Sequence, residues 1–493
     1  MRLHLSTAQL DRAAGVLLGM ACGDALGAGY EFGPPLGPDV AVAMTGGGSF
    51  GWAPGEWTDD TSMSIAIAEP AATGADLRGE AARDQISARW AGWAYDANDV
   101  GNQTRAVLSA ATRAARSRGE AEPTGGDLTL AAGEHDARTG RSGGNGSLMR
   151  TAPIALAYLH DPDALVHAAC EISAMTHRDP DAGEACALWC LAIRHAVLHG
   201  DLEGLRAGLE HLPEGRARVW AARLDEAQAG RPADFEDNGW VVQALQGAWS
   251  AITDTAEATG PAHLRLALEA AVRGGRDTDT VAAIAGALVG GLYGASAVPA
   301  RWRRQLHGWP GLRARDLASL GVMTARGGES DSAGWPLGAQ VDYSTYQDCD
   351  ALARHPHDDR VWLGGVDALD TLPDGVDAVV SLCRLGTEQV PAPGVAAGDH
   401  VEVWLIDEPD QDKNPNLDFV LTDAVAAVAA LRAEGRTVLL HCVQAQSRTP
   451  TVAALYGARL TGRTPTEALG DIVHVLPKAN PNRGFQAALK RLR

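Results

Sequence analysis

Apolar residues at helical spacing dominate the chain up to about residue 320, and polar residues fill the positions between them. Alternating runs of the kind that form strands are scarce in this part. The clearest predicted helices span 60–72, 86–95, 104–118, 153–159, 182–198, 240–252, 264–272 and 278–293. The pattern therefore predicts one large all-helical domain.

The pattern changes after a stretch rich in Gly and Ser at 325–338, which is typical of a linker. Short β-rich runs then alternate with helical stretches. The strand-like runs span 361–363, 378–383, 401–406 and 438–441, and the helical ones span 417–434 and 449–460. Such alternation indicates an α/β domain with a largely parallel sheet. The sequence thus predicts a multidomain protein, with an all-α domain over 1–324, a linker over 325–345 and an α/β domain over 346–493.

The length of the chain agrees with the prediction of two domains, and its charge disfavours some classes of binding partner. The 493 residues exceed the about 250–300 residues at which a single core stops growing. A net charge of −20 disfavours nucleic acid and anionic membranes as partners. No window approaches about 18 uninterrupted apolar residues, and the first residues lack the apolar run of a signal peptide. With seven scattered cysteines, we expect a cytoplasmic protein with reduced thiols.

Two acidic clusters, Thr58-Asp59-Asp60-Thr61 and Asp277-Thr278-Asp279-Thr280, each precede an apolar helix. Either one alone would be interpreted as a capped helix start, since Asp and Thr are favoured there. Together they offer carboxylate and hydroxyl oxygens, the ligands of Mg²⁺ or Mn²⁺ and not of Zn²⁺. Two such ions could activate a water and hold substrate hydroxyls. Without a metal, carboxylates buried in one pocket would repel each other.

Further motifs stand in a fixed order around these clusters. They are Gly19-Met20-Ala21-Cys22-Gly23-Asp24-Ala25-Leu26-Gly27 with Glu31, then Asp99-Val100-Gly101-Asn102, then Gly144-Asn145-Gly146-Ser147-Leu148-Met149-Arg150, and Thr176-His177. With the two acidic clusters they make the chain up to about residue 320 resemble the ADP-ribosylglycohydrolase family, which includes dinitrogenase reductase-activating glycohydrolase. Each motif alone is weak, but their order over some 300 residues is specific.

The resemblance implies a role for each matching residue. The ligands of two Mg²⁺ or Mn²⁺ ions would be Thr58, Asp59, Asp60, Asp277, Asp279 and Thr280. Glu31 would gate or polarise the substrate ribose, and Asp99 would orient water or the reacting bond. The ADP-ribose would contact Gly144, Asn145, Gly146, Ser147, Met149 and His177.

Several of these residues also have a plain structural interpretation. Asp24 is interpreted as structural, satisfying backbone donors. Asp99 could cap the helix that follows it, and His177 could lie in a surface turn. Arg276 departs from the family, many of whose members carry Gly before the second cluster, and it could alter the rim of the cleft.

The second domain contains His441-Cys442, five residues and then Arg448-Thr449-Pro450, which is a strand, a loop and a helix. Loop amides at a helix N-terminus bind a phosphate dianion and favour a thiolate, and an arginine can hold the phosphate bidentately. With Pro481-Asn482-x-Gly484-Phe485, this signature makes 340–493 resemble the cysteine-dependent dual-specificity phosphatases. The resemblance implies Cys442 as nucleophile, Arg448 as phosphate binder, and Ser447 or Thr449 as an aid to thiolate release.

Two features of this domain leave alternatives open. The family commonly has Gly at the position of Ala445. If the loop requires a backbone angle that only Gly adopts easily, Ala445 would lower the phosphatase activity. The domain would then be a phosphate-binding pseudo-phosphatase. The general acid should follow the strand at 401–406, where Asp407, Asp410 and Asp412 all qualify.

The main hypothesis is a metal-dependent hydrolase that cleaves the glycosidic bond of ADP-ribosylated substrates, through an oxocarbenium-like state, fused to a phosphatase-like domain. The expected partners are an ADP-ribosylated protein or small molecule and a phosphorylated substrate. The linkage cleaved stays open among arginine, serine, nucleic acid and small molecules. The alternative is a catalytically silent protein that binds ADP-ribose and phosphate.

Overall fold

In the computed structural model, which describes residues 4–492, the chain divides into two units. The first contains the described residues up to Val298 together with Gln305–Glu329, and the second contains Pro299–Arg304 together with Ser330–Arg493 as far as it is described. The linker at 325–345 stays a prediction. No helix among residues 4–492 combines the length and the apolar character needed to cross a membrane.

The first unit is helical, as the apolar pattern predicts. Helices up to residue 325 are α1 (Thr7–Gly27), α2 (Asp59–Ala71), α3 (Glu80–Asp96), α4 (Asn102–Ser117), α5 (Gly125–Thr139), α6 (Ala152–Ala157), α7 (Pro162–Ala174), α8 (Pro180–His199), α9 (Gly204–Ala207), α10 (Glu214–Ala229), α11 (Val241–Asp254), α12 (Gly260–Arg273), α13 (Thr278–Tyr293), α14 (Ala300–Gln305) and α15 (Ala314–Ala325). Of these, α14 belongs to the second unit except for its last residue, Gln305. A two-stranded antiparallel ribbon, β1 (His307–Gly308) and β2 (Leu312–Arg313), is an element that the prediction of an all-helical domain lacked.

Glycines at every fourth position bring the backbone of α1 into direct contact with α13. They are Gly15, Gly19, Gly23 and Gly27. A Cβ atom at Gly23 would lie 2.0 Å from the carbonyl oxygen of Ala282, and one at Gly27 would lie 2.3 Å from the Cα atom of Asp279. Because no side chain separates the two helices there, the end of α1 lies beside the start of α13, where the second acidic cluster stands.

The second unit is a five-stranded sheet with helices packed on it, in agreement with the predicted α/β architecture. The strands are β3 (Leu352–His355), β4 (Asp358–Gly364), β5 (Ala378–Ser381), β6 (His400–Glu402) and β7 (Val438–His441), in the order β3-β4-β7-β5-β6. The β4, β7, β5 and β6 strands are parallel, while β3 pairs antiparallel with β4 at one edge.

Helices α16 (Leu417–Ala433), α17 (Arg448–Thr461), α18 (Pro465–Val475) and α19 (Arg483–Arg491) accompany this sheet. Strand β7 lies near its centre and is buried along its whole length, as a run of Val and Leu before the phosphate-loop signature predicts. Because parallel strands end at the same edge, the loop after β7 meets the segments that follow β5 and β6. The seven cysteines of the chain are all free thiols.

Substituting Gly23 by Ala should destabilise the helical unit, because the added methyl group would collide with the backbone of α13. Forced overpacking of this kind costs about 1–3 kcal/mol. Thermal unfolding followed by circular dichroism should show a lower midpoint for Gly23→Ala.

The matched control is Gly92→Ala in α3, where a Cβ atom would meet no atom within 4 Å. That change should be neutral or stabilise by about 0.5–1 kcal/mol, since Ala is the better helix former. Equal midpoints for the two variants would contradict direct backbone packing at Gly23.

Candidate metal and phosphate-binding sites

The structure brings the two acidic clusters together at the N-termini of α2 and α13. The hydroxyl of Thr58 lies 3.0 Å from Asp60 Oδ2 and 3.4 Å from Asp279 Oδ2. Thr58, Asp60 and Asp279 are buried, with exposures of 1%, 0% and 1%. Asp60 and Asp279 therefore share one enclosed site, although they lie 219 positions apart in the sequence.

Two overlapping carboxylate trios occupy this site. In one, ligand atoms of Asp24, Asp60 and Asp279 lie within 4.8 Å of one another, and in the other the same holds for Glu31, Asp277 and Asp279. Because Asp279 belongs to both trios, the arrangement can hold two adjacent cations. All of these donors are oxygen atoms, which suit hard cations such as Mg²⁺ or Mn²⁺.

Asp24 combines a structural role with a place in one of the two carboxylate trios. Its carboxylate accepts hydrogen bonds from the backbone N–H groups of Thr58 and Thr61, at 2.8 and 3.0 Å, and from the Thr61 hydroxyl at 2.6 Å. It therefore satisfies the free N–H groups at the start of α2, as the structural interpretation expects. The Thr58 side chain makes no capping bond, and neither does that of Asp277 at the start of α13, so local helix capping does not account for either cluster.

Burial raises the pKa of every carboxyl group in this cluster, and nearby carboxylates further raise the pKa values of Glu31, Asp59, Asp60 and Asp279. The pKa of Glu31 rises to about 9 because of burial and then the nearby Asp277 and Asp99. The pKa of Asp60 lies well above its usual value because of burial and then the nearby Asp24 and Asp59. Asp60 Oδ1 and Glu31 Oε2 are buried without a hydrogen-bond partner. Oxygen atoms left in this state fit the ligands of a cation.

The loop that carries Glu31 is held against the second cluster by its backbone. The Phe32 N–H donates to the Arg276 carbonyl at 2.6 Å, and the Arg276 N–H donates to the Gly33 carbonyl at 2.7 Å. Arg276 has a φ of 64°, in the left-handed region that favours glycine. This explains why glycine suits the position, and Arg276 keeps the bridge while its guanidinium pairs with Glu236 at 3.0 Å.

The glycine-rich loop at 144–150 contacts the second cluster through Asn145. The Asn145 amide donates to Asp277 Oδ2 at 2.7 Å and to the Asn238 carbonyl at 2.9 Å. Asn238 in turn accepts the Asp277 N–H at 3.2 Å through its side chain. Asn238 is a positioning residue that the sequence analysis missed, since a lone asparagine before a helix carries no pattern that points to this site.

His177 lies under the glycine-rich loop and is 3% exposed, which contradicts a surface turn. A Cβ atom at Gly146 would lie 3.1 Å from its ring. The Thr176 hydroxyl contacts His177 Nδ1 at 2.7 Å and accepts a hydrogen bond from the buried Arg150 at 2.6 Å. Burial lowers the pKa of His177 well below its usual value, so the ring is neutral. Ser147 and Met149 are also buried, at 2% and 4% exposure.

Asp99 lies in a half-buried loop before α4, whose N-terminal cap is Gly101, so its carboxylate does not cap that helix. Its charge raises the pKa values of Glu31 and Asp59, which places it beside the carboxylate cluster. Burial and the neighbouring Asp277 raise its own pKa to about 6.

In the second unit, the loop between β7 and α17 forms a candidate phosphate site. Cys442 is 2% exposed at the end of β7, and Arg448 begins α17. The Arg448 guanidinium donates to the carbonyls of Leu382 and Leu405 at 2.7 and 3.3 Å, so it is anchored across the ends of neighbouring segments. Arg448 Nε and Thr449 Oγ1 are buried without a hydrogen-bond partner, which suits a phosphate in the loop.

One of the three candidate general acids contacts this loop. Asp407 Oδ1 accepts hydrogen bonds from the Ser447 hydroxyl at 2.6 Å and from the Asn482 amide at 2.9 Å, and Asp407 Oδ2 lies 3.7 Å from Arg448 Nε. Asp410 instead accepts the N–H of Asp412 within their own turn. The structure thus distinguishes Asp407 from the other two.

Ala445 has a φ of 52°, so it occupies the left-handed region in which glycine is the easiest residue. The loop nonetheless adopts this conformation with alanine, whose side chain is buried at 2% exposure. A conformation of this kind costs roughly 1–2 kcal/mol for a residue with a Cβ atom. Alanine at this position therefore adds strain to the phosphate loop.

Comparison with known proteins separates the two units. The family model for ADP-ribosylglycohydrolase matches residues 5–331. The chain is 32% identical over 301 residues to the ADP-ribosylarginine hydrolase Tri1 of Pseudomonas putida (strain GB-1), an alignment that covers 59% of this chain and 73% of that protein. It is 30% identical over 305 residues to the ADP-ribosyl-[dinitrogen reductase] glycohydrolase of Rhodospirillum rubrum, covering 60% and 90%. The C-terminal part is 28% identical over 116 residues to dual specificity phosphatase 28 of Mus musculus, covering 24% and 69%.

Without divalent cations, the helical unit should lose stability as the pH rises. A carboxyl group whose folded-state pKa is raised keeps its proton while the unfolded chain releases one, so stability falls between the two pKa values. That window runs from about 4, the ordinary value, to about 6 for Asp24 and Asp99 and about 9 for Glu31. In EDTA, the thermal unfolding midpoint should therefore fall from about pH 5 to about pH 9.

Excess Mg²⁺ or Mn²⁺ should reverse this trend, because a cation that binds only the folded state stabilises it. The gain should grow with pH and should shrink in Asp60→Asn, which removes one of the buried charges. A midpoint that does not respond to either cation at high pH would contradict a cation site at these carboxylates.

Proposed function

Since the chain belongs to the ADP-ribosylglycohydrolase family over 5–331, we propose that its helical unit is a metal-dependent hydrolase that releases ADP-ribose from modified substrates. The observation that carries this proposal is the convergence of the two carboxylate trios on Asp279, with buried oxygen atoms that lack hydrogen-bond partners. A buried cluster of this charge has little structural use without a cation, because its members repel each other.

The proposed cation ligands are the residues expected from the family resemblance, with Asp24 completing one trio. They are Thr58, Asp59, Asp60, Asp277, Asp279 and Thr280. When bound, two Mg²⁺ or Mn²⁺ ions would supply Lewis-acid polarisation of ribose hydroxyl oxygens and the charge that favours ionised water.

The chain's own residues would then position the reacting bond. Glu31, on the loop bridged to Arg276, would lie over the ribose, and Asp99 would orient the attacking water. Asn145 holds Asp277 in place, while the glycines of the same loop leave space for a diphosphate. His177, neutral and buried beneath the loop, would donate from Nε2 to a phosphate oxygen. Water attack at the anomeric carbon would break the bond to the leaving group.

We propose arginine as the linkage cleaved. The support comes from the two relatives named as ADP-ribosylarginine hydrolases, from Pseudomonas putida and Serratia proteamaculans, which match this chain over 59% and 60% of its length. The acidic surroundings of the site also suit a cationic guanidinium leaving group. Serine-linked substrate provides the comparison, because its leaving group is neutral.

Replacing either Asp60 or Asp279 by Asn should lower kcat/KM for release of ADP-ribose from ADP-ribosylarginine by about 10²-fold or more, because each change removes a charged cation ligand. EDTA should abolish turnover by the unmodified protein, and Mn²⁺ or Mg²⁺ should restore it. Asp225→Asn, at a surface position 68% exposed, is the matched control and should behave like the unmodified protein.

Calorimetry with ADP-ribose separates an enzyme from a silent binder. A protein that binds ADP-ribose with Mg²⁺ present, yet releases none from arginine- or serine-linked substrates, would be the binding protein and would overturn the hydrolase proposal.

For the second unit, which is phosphatase-like, we propose cysteine-dependent hydrolysis of phosphate esters. Cys442 would attack phosphorus as the thiolate while Arg448 and the loop amides hold the phosphoryl oxygens. Asp407 would give its proton to the leaving oxygen as the P–O bond breaks, and Ser447 or Thr449 would assist release of the thiolate when water hydrolyses the thiophosphate. The contacts of Asp407 with Ser447 and Asn482 support this choice of general acid.

Asp407→Asn should lower kcat for aryl phosphates by about 10²-fold or more, and most for esters with poor leaving groups, because these need the proton most. Asp410→Asn and Asp412→Asn are matched controls in the same segment and should change kcat little. Cys442→Ser should abolish phosphate release while leaving ADP-ribose release unchanged. A similar loss in all three Asp variants would argue against Asp407 as the acid.

A further inference from the structure

A chain of buried polar side chains runs through the second unit to the residue before the phosphate loop. Ser381, at the end of β5, lies between two histidines on neighbouring strands: its Oγ is 2.7 Å from His400 Nε2 on β6 and 2.6 Å from His441 Nε2 on β7. Exposures are 0% for Ser381, 6% for His400 and 0% for His441. His441 Nδ1 in turn lies 3.3 Å from the carbonyl oxygen of Cys442.

The direction of every hydrogen bond in this chain follows from one backbone group. The Ala392 N–H can only donate, and it contacts His400 Nδ1 at 3.0 Å, so that nitrogen carries no proton. A neutral His400 must then hold its proton on Nε2 and donate to Ser381 Oγ. The Ser381 hydroxyl would be a buried donor without an acceptor unless it donates to His441 Nε2.

His441 is therefore protonated on Nδ1, the nitrogen that faces the Cys442 carbonyl. Burial lowers the pKa of His441 to about 4, which agrees with a neutral ring. In the opposite tautomer, an imidazole lone pair would face that carbonyl oxygen, and two acceptors would repel each other. Ser381 on β5 and His400 on β6 thus determine that the His441 nitrogen facing the phosphate loop, Nδ1, carries the proton.

We propose that Ser381 and His400 are positioning residues for Cys442, because they fix the tautomer in which His441 donates a hydrogen bond to the first peptide group of the phosphate loop. The inference rests on the proposed nucleophilic role of Cys442 and adds two residues that touch neither substrate nor phosphate. The N–H donated to the Cys442 carbonyl holds that peptide in place and directs a positive dipole toward the thiolate region.

The test uses the full chain and the reactivity of Cys442, measured as the rate of its alkylation by iodoacetamide against pH, with the modified peptide quantified by mass spectrometry. In Ser381→Ala, alkylation of Cys442 near neutral pH should slow about threefold to tenfold, which is the equivalent of one lost hydrogen bond. The alkylation rate should also begin to increase only at a higher pH than in the unmodified protein. Histidine ¹⁵N NMR should show the proton on His441 Nδ1 in the unmodified protein and an altered tautomer in Ser381→Ala.

Val380→Ala is the matched control, since Val380 is a buried neighbour of Ser381 on the opposite face of β5. Val380→Ala loosens the same strand without contacting the hydrogen-bonded chain of His400, Ser381 and His441. The rate of Cys442 alkylation against pH should therefore match that of the unmodified protein. An unchanged profile in Ser381→Ala, an equal shift in Val380→Ala, or an unchanged His441 tautomer would each overturn the proposal. Because alkylation needs no phosphatase substrate, a failure of the proposed phosphatase activity would be seen separately as absent phosphate release.

Discussion

The direct backbone contact between α1 and α13 is the constraint on which the first site depends. The glycine at the end of α1, Gly27, lies against the Cα atom of Asp279, and the turn before it carries Asp24. A side chain on this face of α1 would separate the helices by several ångströms, and the two carboxylate trios could no longer share Asp279. The glycines of the first motif therefore set the spacing of the proposed cation site by letting the two helices approach closely.

This close approach creates an electrostatic problem that the fold solves only in part. Hydrogen bonds from Thr58 and Thr61 satisfy Asp24, and Asn145 satisfies one oxygen of Asp277. Asp60 and Glu31 each keep a buried oxygen without any protein partner. The residues at the starts of α2 and α13, Thr58 and Asp277, would cap these helices if the clusters served stability alone. Neither side chain makes a capping hydrogen bond. These unsatisfied oxygen atoms are the feature that fits the cation site proposed above.

The sequence predicted the helices whose apolar faces are long and regular, such as α8 and α13, and it predicted the strands buried on both faces. The predicted ranges did not include α5, α7, α10, α15, α18 and α19, and in α5 and α10 polar and charged residues interrupt the helical spacing. They also did not include β3, a partly exposed edge strand of four residues. The motifs indicated which residues would meet at the first site but not how they are held there. The hydrogen bonds of Asn238 to residues on two other segments exist only once the chain is folded, so no local pattern reveals them.

Each candidate site has a residue other than glycine in the left-handed backbone region, Arg276 in the first and Ala445 in the second. The two residues differ in the contacts that offset the strain of this conformation. Arg276 makes backbone hydrogen bonds on both sides to the Glu31 loop and an ion pair through its guanidinium, so several contacts offset its strain. Ala445 has no polar side chain and depends on packing inside the phosphate loop. The loop is held in other ways: Ser447 contacts Asp407, Arg448 is anchored on two carbonyls, and His441 contacts the Cys442 carbonyl. A phosphate loop fixed at both ends can keep its path with alanine at this position, so the missing glycine does not by itself mark the second unit as a pseudo-phosphatase.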